Sequence, residues 1–325
     1  MKTGVASRLL VTRKVVCALI YATILFFLII ESRVDGQSVQ ADQAQLLQNQ
    51  LQPPFAPGPP PSTLGQNQVV TSPNDTDLGE QQLLKRITPY QAWTFSIASP
   101  IFYTSNVALM NTGVIGDAVE APIAGIYYQP RIAPTLYGNL DIQQQNFFYD
   151  KYKSFNFGSM DAELGLNYFL PKLNNLVLRG KYDFNRLTHS DFSEFFSNHA
   201  VLLNAEMPFR LGHAQHISFG AGANISVAAD HQFSRRNDYE GYVGYTVSLS
   251  RSFAVSVLGR SIYRVYHENG RADLSEIVSV NANYQINDWL TVSAINSFSH
   301  NDSNRDLFDY NVVDLGGSLS LTVKF

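Results

Sequence analysis

The groups best suited to chemistry are few and scattered. The chain has seven histidines among 325 residues. His267 stands in "YHENGRADLSEIVSVNANY", with Asn269 two positions on and Asn281 further downstream. A histidine base needs a nucleophile within reach, and Asn269 offers no hydroxyl. "AADHQ" pairs Asp230 with His231, and "THSD" brings His189 near Asp191. Such pairs can activate water, but charged loops also produce them by chance. "HAQH" sets His213 and His216 three apart. In a strand that spacing turns the rings to opposite faces, so one ion could be held only across a turn. There is no G-x-S-x-G elbow, no phosphate loop and no H-E-x-x-H pair. No catalytic, metal-binding or cofactor-binding residue is assigned.

A second set of groups has clearer spacing. In "NLVLRGKYDF", Leu176, Leu178, Gly180, Tyr182 and Phe184 oppose Val177, Arg179, Lys181 and Asp183. An Arg-x-Lys-x-Asp row on one face of a strand does not fit a dry sandwich core. It fits a polar lumen with lipid on the other face. The same alternation puts Asp161, Glu163, Arg179, Lys181, Asp183, Glu206, Glu240, Arg260, Arg264 and Asp314 on inner faces. With both signs present, these charges either cross-link the wall as ion pairs or line a narrow aqueous path. If they form a filter, Arg179, Lys181, Arg260 and Arg264 stand against Asp161, Glu163, Asp183 and Glu240, with a preference for anions. The residue pattern is compatible with both.

The elements that must position these groups are strands. From Trp93 onward a period of two recurs, the half-buried strand pattern. In "SVNANYQIN", Val278, Val280, Ala282, Tyr284 and Ile286 alternate with Ser279, Asn281, Asn283 and Gln285. "ISFGAGANISV" and the terminal "GGSLSLTVKF" repeat the pattern. About twelve strands are expected, roughly 92–104, 121–130, 136–149, 160–170, 176–187, 197–208, 215–228, 239–250, 253–267, 273–286, 289–299 and 310–325. The connections alternate between short turns and mostly longer, charged loops. An even strand number puts both ends of the strand region on the short-turn side.

The chain begins with a basic stretch (Lys2, Arg8, Arg13, Lys14) and the apolar run "VVCALIYATILFFLII". This reads as an export signal, residues 1–36, with cleavage after Gly36. The run is about 16 residues, short of the ~20 that a spanning helix needs. Cys17, the single cysteine, lies inside it, so the processed chain has neither disulfides nor thiolate metal ligands. Removing five basic and two acidic residues leaves 18 basic against 25 acidic groups, a net charge of −7. That sign argues against a nucleic-acid partner. Residues 37–88 form a Gln- and Pro-rich, low-complexity segment, expected as a disordered periplasmic linker before a domain at 89–325. A short helix capped by Asp77 is an alternative for its last part. The 12% aromatic content is high for so polar a chain and suits a membrane interface.

Export signal, amphipathic strands and the terminal Phe325 together resemble a Gram-negative outer-membrane β-barrel. The resemblance holds at the level of the class, is porin-like, and covers Trp93 to Phe325. It implies an all-β, transmembrane, antiparallel up-and-down barrel in the cell outer membrane, with outer-membrane lipid around it. It also implies that Phe325 is an assembly signal for the barrel-assembly machinery. The outer-membrane phospholipase A family needs a serine where Asn269 stands, so its activity does not carry over. Omptin-type proteases need Asp and His clusters at the rim, and their barrels have fewer strands. The leading expectation is a channel for passive diffusion of small polar solutes, needing no cofactor. The alternative is a structural or adhesive barrel with a plugged lumen and ligand-binding extracellular loops. An outer-membrane hydrolase comes third.

Overall fold

The computed structural model describes Leu46 and residues 90–325, apart from 213, 231 and 269. The expected signal, the remainder of the linker with its short helix, and His213, His231 and Asn269 lie outside the described residues. The described chain is a closed antiparallel β-barrel. Its strands are β1 (Trp93–Thr104), β2 (Asp117–Glu120), β3 (Ile123–Tyr128), β4 (Arg131–Ala133), β5 (Leu136–Tyr149), β6 (Phe157–Leu170), β7 (Leu176–His189), β8 (Glu194–Arg210), β9 (Gln215–Asp230), β10 (Arg236–Ser248), β11 (Phe253–Tyr266), β12 (Ala272–Gln285), β13 (Leu290–Ser303) and β14 (Tyr310–Lys324). Both β2 and β3 lie between β1 and β5, so they make one span, and β4 only extends the edge beside β5. Twelve spans result. β14 pairs with β1 from Thr94↔Lys324 to Thr104↔Asp314. Trp93 and Phe325 close the seam, each backbone N–H donating to the other's carbonyl at 3.0 Å. Among the described residues the twelve spans close into a ring in which each is paired on both sides, as backbone in hydrocarbon requires.

Two boundaries differ from the expected ones. The second span begins at Asp117, inside a stretch expected as loop. Pro122 interrupts it because proline has no N–H for the ladder, and the pattern before the proline is too short to read alone. The loops opposite the seam end are also shorter than expected. The stretch "LTHSDFSEF" keeps only residues 190–193 outside strands, and "ADHQFSRRND" only 231–235. Each strand continues as long as its neighbour offers backbone partners, whatever its side chains. Residues 105–116 are the one long connection among the described residues.

The two faces follow the alternation. Ile97, Leu164, Leu203, Val243, Val278, Leu319 and Leu321 point outward and are exposed. Near the seam end, Trp93, Tyr168, Phe219, Tyr284, Trp289 and Phe325 are exposed on the same face. Trp93 stacks on Tyr128 at 4.2 Å. Toward the far end stand Tyr103, Phe148, Tyr239 and Tyr263. Two aromatic bands around an apolar belt are what a membrane-spanning barrel presents to its surroundings.

Candidate functional site

The interior is the candidate site, and it is divided by sector. All ten residues singled out for it alternate with the outward apolar rows, and the structure brings most of them into contact. On β5–β7, Asp141, Glu163 and Asp183 are direct cross-strand neighbours, Asp141↔Glu163 and Glu163↔Asp183. Three carboxylates therefore stand side by side at one level of the wall. Lys181 Nζ reaches Glu163 Oε2 at 2.5 Å. Asp161, one step along, accepts from Asn185 Nδ2 at 2.5 Å and from Ser159 Oγ at 3.1 Å. Gln143 Nε2 donates to Asp141 Oδ2 at 3.1 Å.

The neighbouring pair is of another kind. Arg179 donates to Glu206 Oε2 at 2.9 Å and to Asn204 Oδ1 at 2.6 Å. Glu206 is buried and also accepts from the Tyr242 hydroxyl at 3.3 Å. The Tyr242 ring lies over Gly220, its cross-strand neighbour. A Cβ at Gly220 would sit 2.0 Å from the ring's Cζ, so the missing side chain is what lets the tyrosine fold flat and reach Glu206.

On β10–β12 the charges alternate. Asp238, Arg264 and Asp273 are cross-strand neighbours. Arg264 is 2% exposed; its Nε is 3.9 Å from Asp238 Oδ2 and its Nη1 donates to Asn301 Oδ1 at 3.1 Å. Arg236 Nε donates to Asp238 Oδ1 at 2.9 Å. Arg260 Nε lies 3.5 Å from Glu240 Oε2, with its guanidinium 5.7 Å from the Tyr242 ring. Arg271 is held bidentately by Asp273, with contacts of 3.0, 3.0 and 2.5 Å, between the rings of Tyr266 and Phe308 at 4.0 and 3.7 Å. In the ring of twelve spans, β5–β7 and β10–β12 lie about half a turn apart. Asp314 is buried on β14, opposite Ser297 and Thr104.

Asp141, Arg236, Asp238, Arg271 and Asp273 were missed by the sequence reading. The signal was available: Asp141, Gln143 and Gln145 alternate, as do Arg236, Asp238 and Glu240. Arg236 and Asp238 fall on a strand that starts earlier than expected, Arg271 just precedes β12, and Asp141 and Asp273 lie within the expected strands 136–149 and 273–286.

Apolar groups narrow the far half of the interior. Phe102, Val119, Phe147, Phe157, Leu187 and Phe196 form one buried cluster, with Phe147 stacked on Phe157 at 4.4 Å. The loop at 105–116 turns into it: Asn106, Val107, Ala108 and Leu109 are all buried. Asn106 ties the loop down, donating to Met110 O at 2.8 Å and to Asn311 O at 3.0 Å. Leu46 lies in a second cluster with Leu109, Ile262, Ile277, Tyr310 and Val312.

The described histidines do not assemble. His267 Nε2 meets Asn237 Oδ1 at 3.2 Å. Asp191, in the turn at 190–193, accepts from Ser193 Oγ at 2.5 Å and Ser193 N–H at 3.0 Å, which holds its carboxyl below the usual carboxylate range. His189 and Ser193 are joined through the backbone, His189 N–H to Ser193 O at 2.9 Å. Among the described residues no three His, Asp or Glu groups are placed to hold one metal ion.

No protein-family model and no curated protein matches the sequence. Solved structures do match. One is the COG4313 outer membrane channel from Pseudomonas putida F1, at 9% identity and a TM-score of 0.54, over 73% of this chain and 97% of that one. The fold is that of an outer-membrane β-barrel. Weaker likenesses include the KdgM porin (7% identity, TM-score 0.39, 69% of this chain and 97% of that one) and OpdL of Pseudomonas aeruginosa (10% identity, TM-score 0.38, 72% and 99%). At these identities the likeness concerns the fold alone, and only the first is close enough in geometry to be argued from.

Proposed function

We propose that the chain is a narrow outer-membrane channel passing small polar solutes by passive diffusion, with a preference for cations. The observation that carries this reading is the row Asp141–Glu163–Asp183, three carboxylates in register. Like charges directly opposite one another destabilise a sheet, and one lysine contact offsets only part of that. A wall that keeps such a row suits a path for charged solutes, as charge-lined filters do. The arginines contribute less net field, because each meets a carboxylate of its own sector. The arrangement therefore favours the acidic sector over the basic one in setting selectivity, against the anion preference expected from the sequence. The P. putida protein is an outer membrane channel, and its likeness in fold supports the same location here. In this reading lipid meets the outward apolar belt, Phe325 is the mark taken by the barrel-assembly machinery, and no reaction is catalysed.

Planar-bilayer recording of purified protein tests the reading. Small stable current steps are expected, reversing on the cation-selective side of zero across a salt gradient. Glu163→Gln with Asp183→Asn should shift the reversal potential toward anions. Silence at every voltage, both in the full chain and in a chain lacking residues 37–52, overturns the channel. A second reading, a plugged structural or adhesive barrel, is favoured by the buried Leu46 and the inward loop.

A further inference from the structure

The row Asp141–Glu163–Asp183 is uneven in charge along its length. Lys181 neutralises its centre. A Cβ at Gly165 would sit 2.7 Å from Lys181 Cγ, so the lysine stem lies across Gly165, and its Nζ ends on Glu163 at 2.5 Å. The two ends have no such partner. Asp141 is 9% exposed; Gln143 reaches its Oδ2, and its buried Oδ1 meets no donor. Asp183 accepts no hydrogen bond among the described residues. Asn185, two residues along on the same face, is 4% exposed. Its Nδ2 donates to Asp161 and Ser159, while its Oδ1 has no partner. Arg179, the next cation along β7, is held by Glu206. Buried acceptors are ordinarily matched by donors, and this stretch of wall has too few. We infer that the row is a binding site for a linear α,ω-diamine, a dication whose two ammonium ends meet Asp141 and Asp183 while its methylene middle passes the Glu163–Lys181 pair.

Spacing selects the ligand. Neighbouring strands lie about 4.8 Å apart, so Asp141 and Asp183, two strands apart, stand roughly 10 Å apart at the backbone. A metal ion asks for several ligands on one point, and among the described residues no three acidic or histidine groups converge in that way. A monoamine fills one end and leaves the other. A chain of four or five carbons with an ammonium at each end spans the gap, with N–H···O contacts of about 2.8 Å. Charge follows the same pattern. The wall reads negative, neutral, negative, and the ligand reads positive, neutral, positive. Each ammonium brings three donors and no acceptor, which is what Asp141 Oδ1 and Asp183 lack. The row can be reached, since the side chains of Glu163 and Lys181 are each 20% exposed. The opposite sector does not compete for the dication, because Asp238 and Asp273 already have arginines.

Calorimetry tests the site, and conductance tests its place in the path; only the second arm rests on the channel reading of the previous subsection. Titration of the purified full chain in detergent, with cadaverine as the probe, should show saturable binding of one molecule per chain. Asp141→Asn and Asp183→Asn each relieve a like-charge contact, so both variants should keep the heat-modifiable barrel. Each should weaken cadaverine at least about tenfold, the loss of one charge-assisted contact. Pentylamine, the same chain with one ammonium, should also bind at least about tenfold more weakly than cadaverine. Lys181→Met frees Glu163 and should tighten the binding of spermidine, a triamine. No saturable binding, equal affinity for cadaverine and pentylamine, or unchanged affinity in both variants overturns the site. In bilayers cadaverine should reduce the potassium current of the unaltered chain and leave that of the Asp141→Asn, Asp183→Asn double variant unchanged. Binding with current that cadaverine does not alter removes the row from the conducting path. Binding with silent bilayers overturns the channel and leaves the site standing, whereas current without binding overturns the site and leaves the channel.

Discussion

Two rows of three charges, half a turn apart in the same wall, are built on opposite rules. Asp238–Arg264–Asp273 alternates in sign across β10–β12, and Asp141–Glu163–Asp183 does not across β5–β7. The first row is a clasp. Each charge has an opposite neighbour, Arg264 and Asp273 are deeply buried, and the rings of Tyr266 and Phe308 flank Arg271. The second row is left with like charges adjacent, Glu163 and Asp183 half-buried beside a buried Asp141, and a single lysine reaching in. The difference separates charges that hold the wall together from charges kept at a cost to stability. Sites of the second kind are where function is sought.

The comparison is broken most severely at Arg271. Replacing it by methionine leaves Asp273, 1% exposed, without its bidentate partner. Removing one partner of a buried pair costs about 3–5 kcal/mol. Urea unfolding of the inserted barrel should show the loss, and an unchanged midpoint would falsify the clasp. The next effect concerns the two faces of the same sector. Val280→Arg puts a charge on the outer belt, at about 2–4 kcal/mol near mid-bilayer, whereas Asn281→Arg enters the interior and should cost less. Equal effects on heat-modifiable, inserted protein would mean that the faces are exchanged. In the acidic row, Lys181→Met removes a charge-assisted contact of about 1.5–3 kcal/mol. Its larger signature should be electrical, a reversal potential moved further toward cations. A move toward anions would assign selectivity to the arginines instead. The smallest effect on stability is expected at the seam. Deleting Phe325 removes two backbone bonds and an outward ring that is 64% exposed. Barrels that do assemble should unfold almost as before, but fewer should assemble, as read by the inserted fraction.

Much of this architecture was legible in the residue pattern. A period of two is set by strand geometry, so inner and outer faces could be assigned wherever a strand was recognised. Arg260, Arg264 and Asp183 lie on the interior face because Tyr263, Val265 and Tyr182 between them are apolar or aromatic and face out. Pairing partners were not legible. That Glu163 stands between Asp141 and Asp183, while Arg264 stands between Asp238 and Asp273, depends on register, which long-range pairing fixes. Pro122 hid the start of the second span, and the inward turn of residues 105–116 rests on Asn106 binding a carbonyl of β14. Leu46 sits in a Gln-rich stretch whose composition alone gives no reason to expect burial.

The seam between β1 and β14 has a consequence for how the barrel comes into being. Every other pairing joins spans that follow one another along the chain, through connections of a few residues or, once, about a dozen. The seam joins residues about 230 apart. On loop-length scaling its closure costs roughly 3–4 kcal/mol more entropy than a four-residue hairpin, and nothing local offsets this until the last strand is in place. Hairpins can therefore accumulate in any order, but the ring has one slow joint. Until that joint shuts, the chain is an open sheet with two unpaired edges, each offering its backbone groups to any strand that meets it.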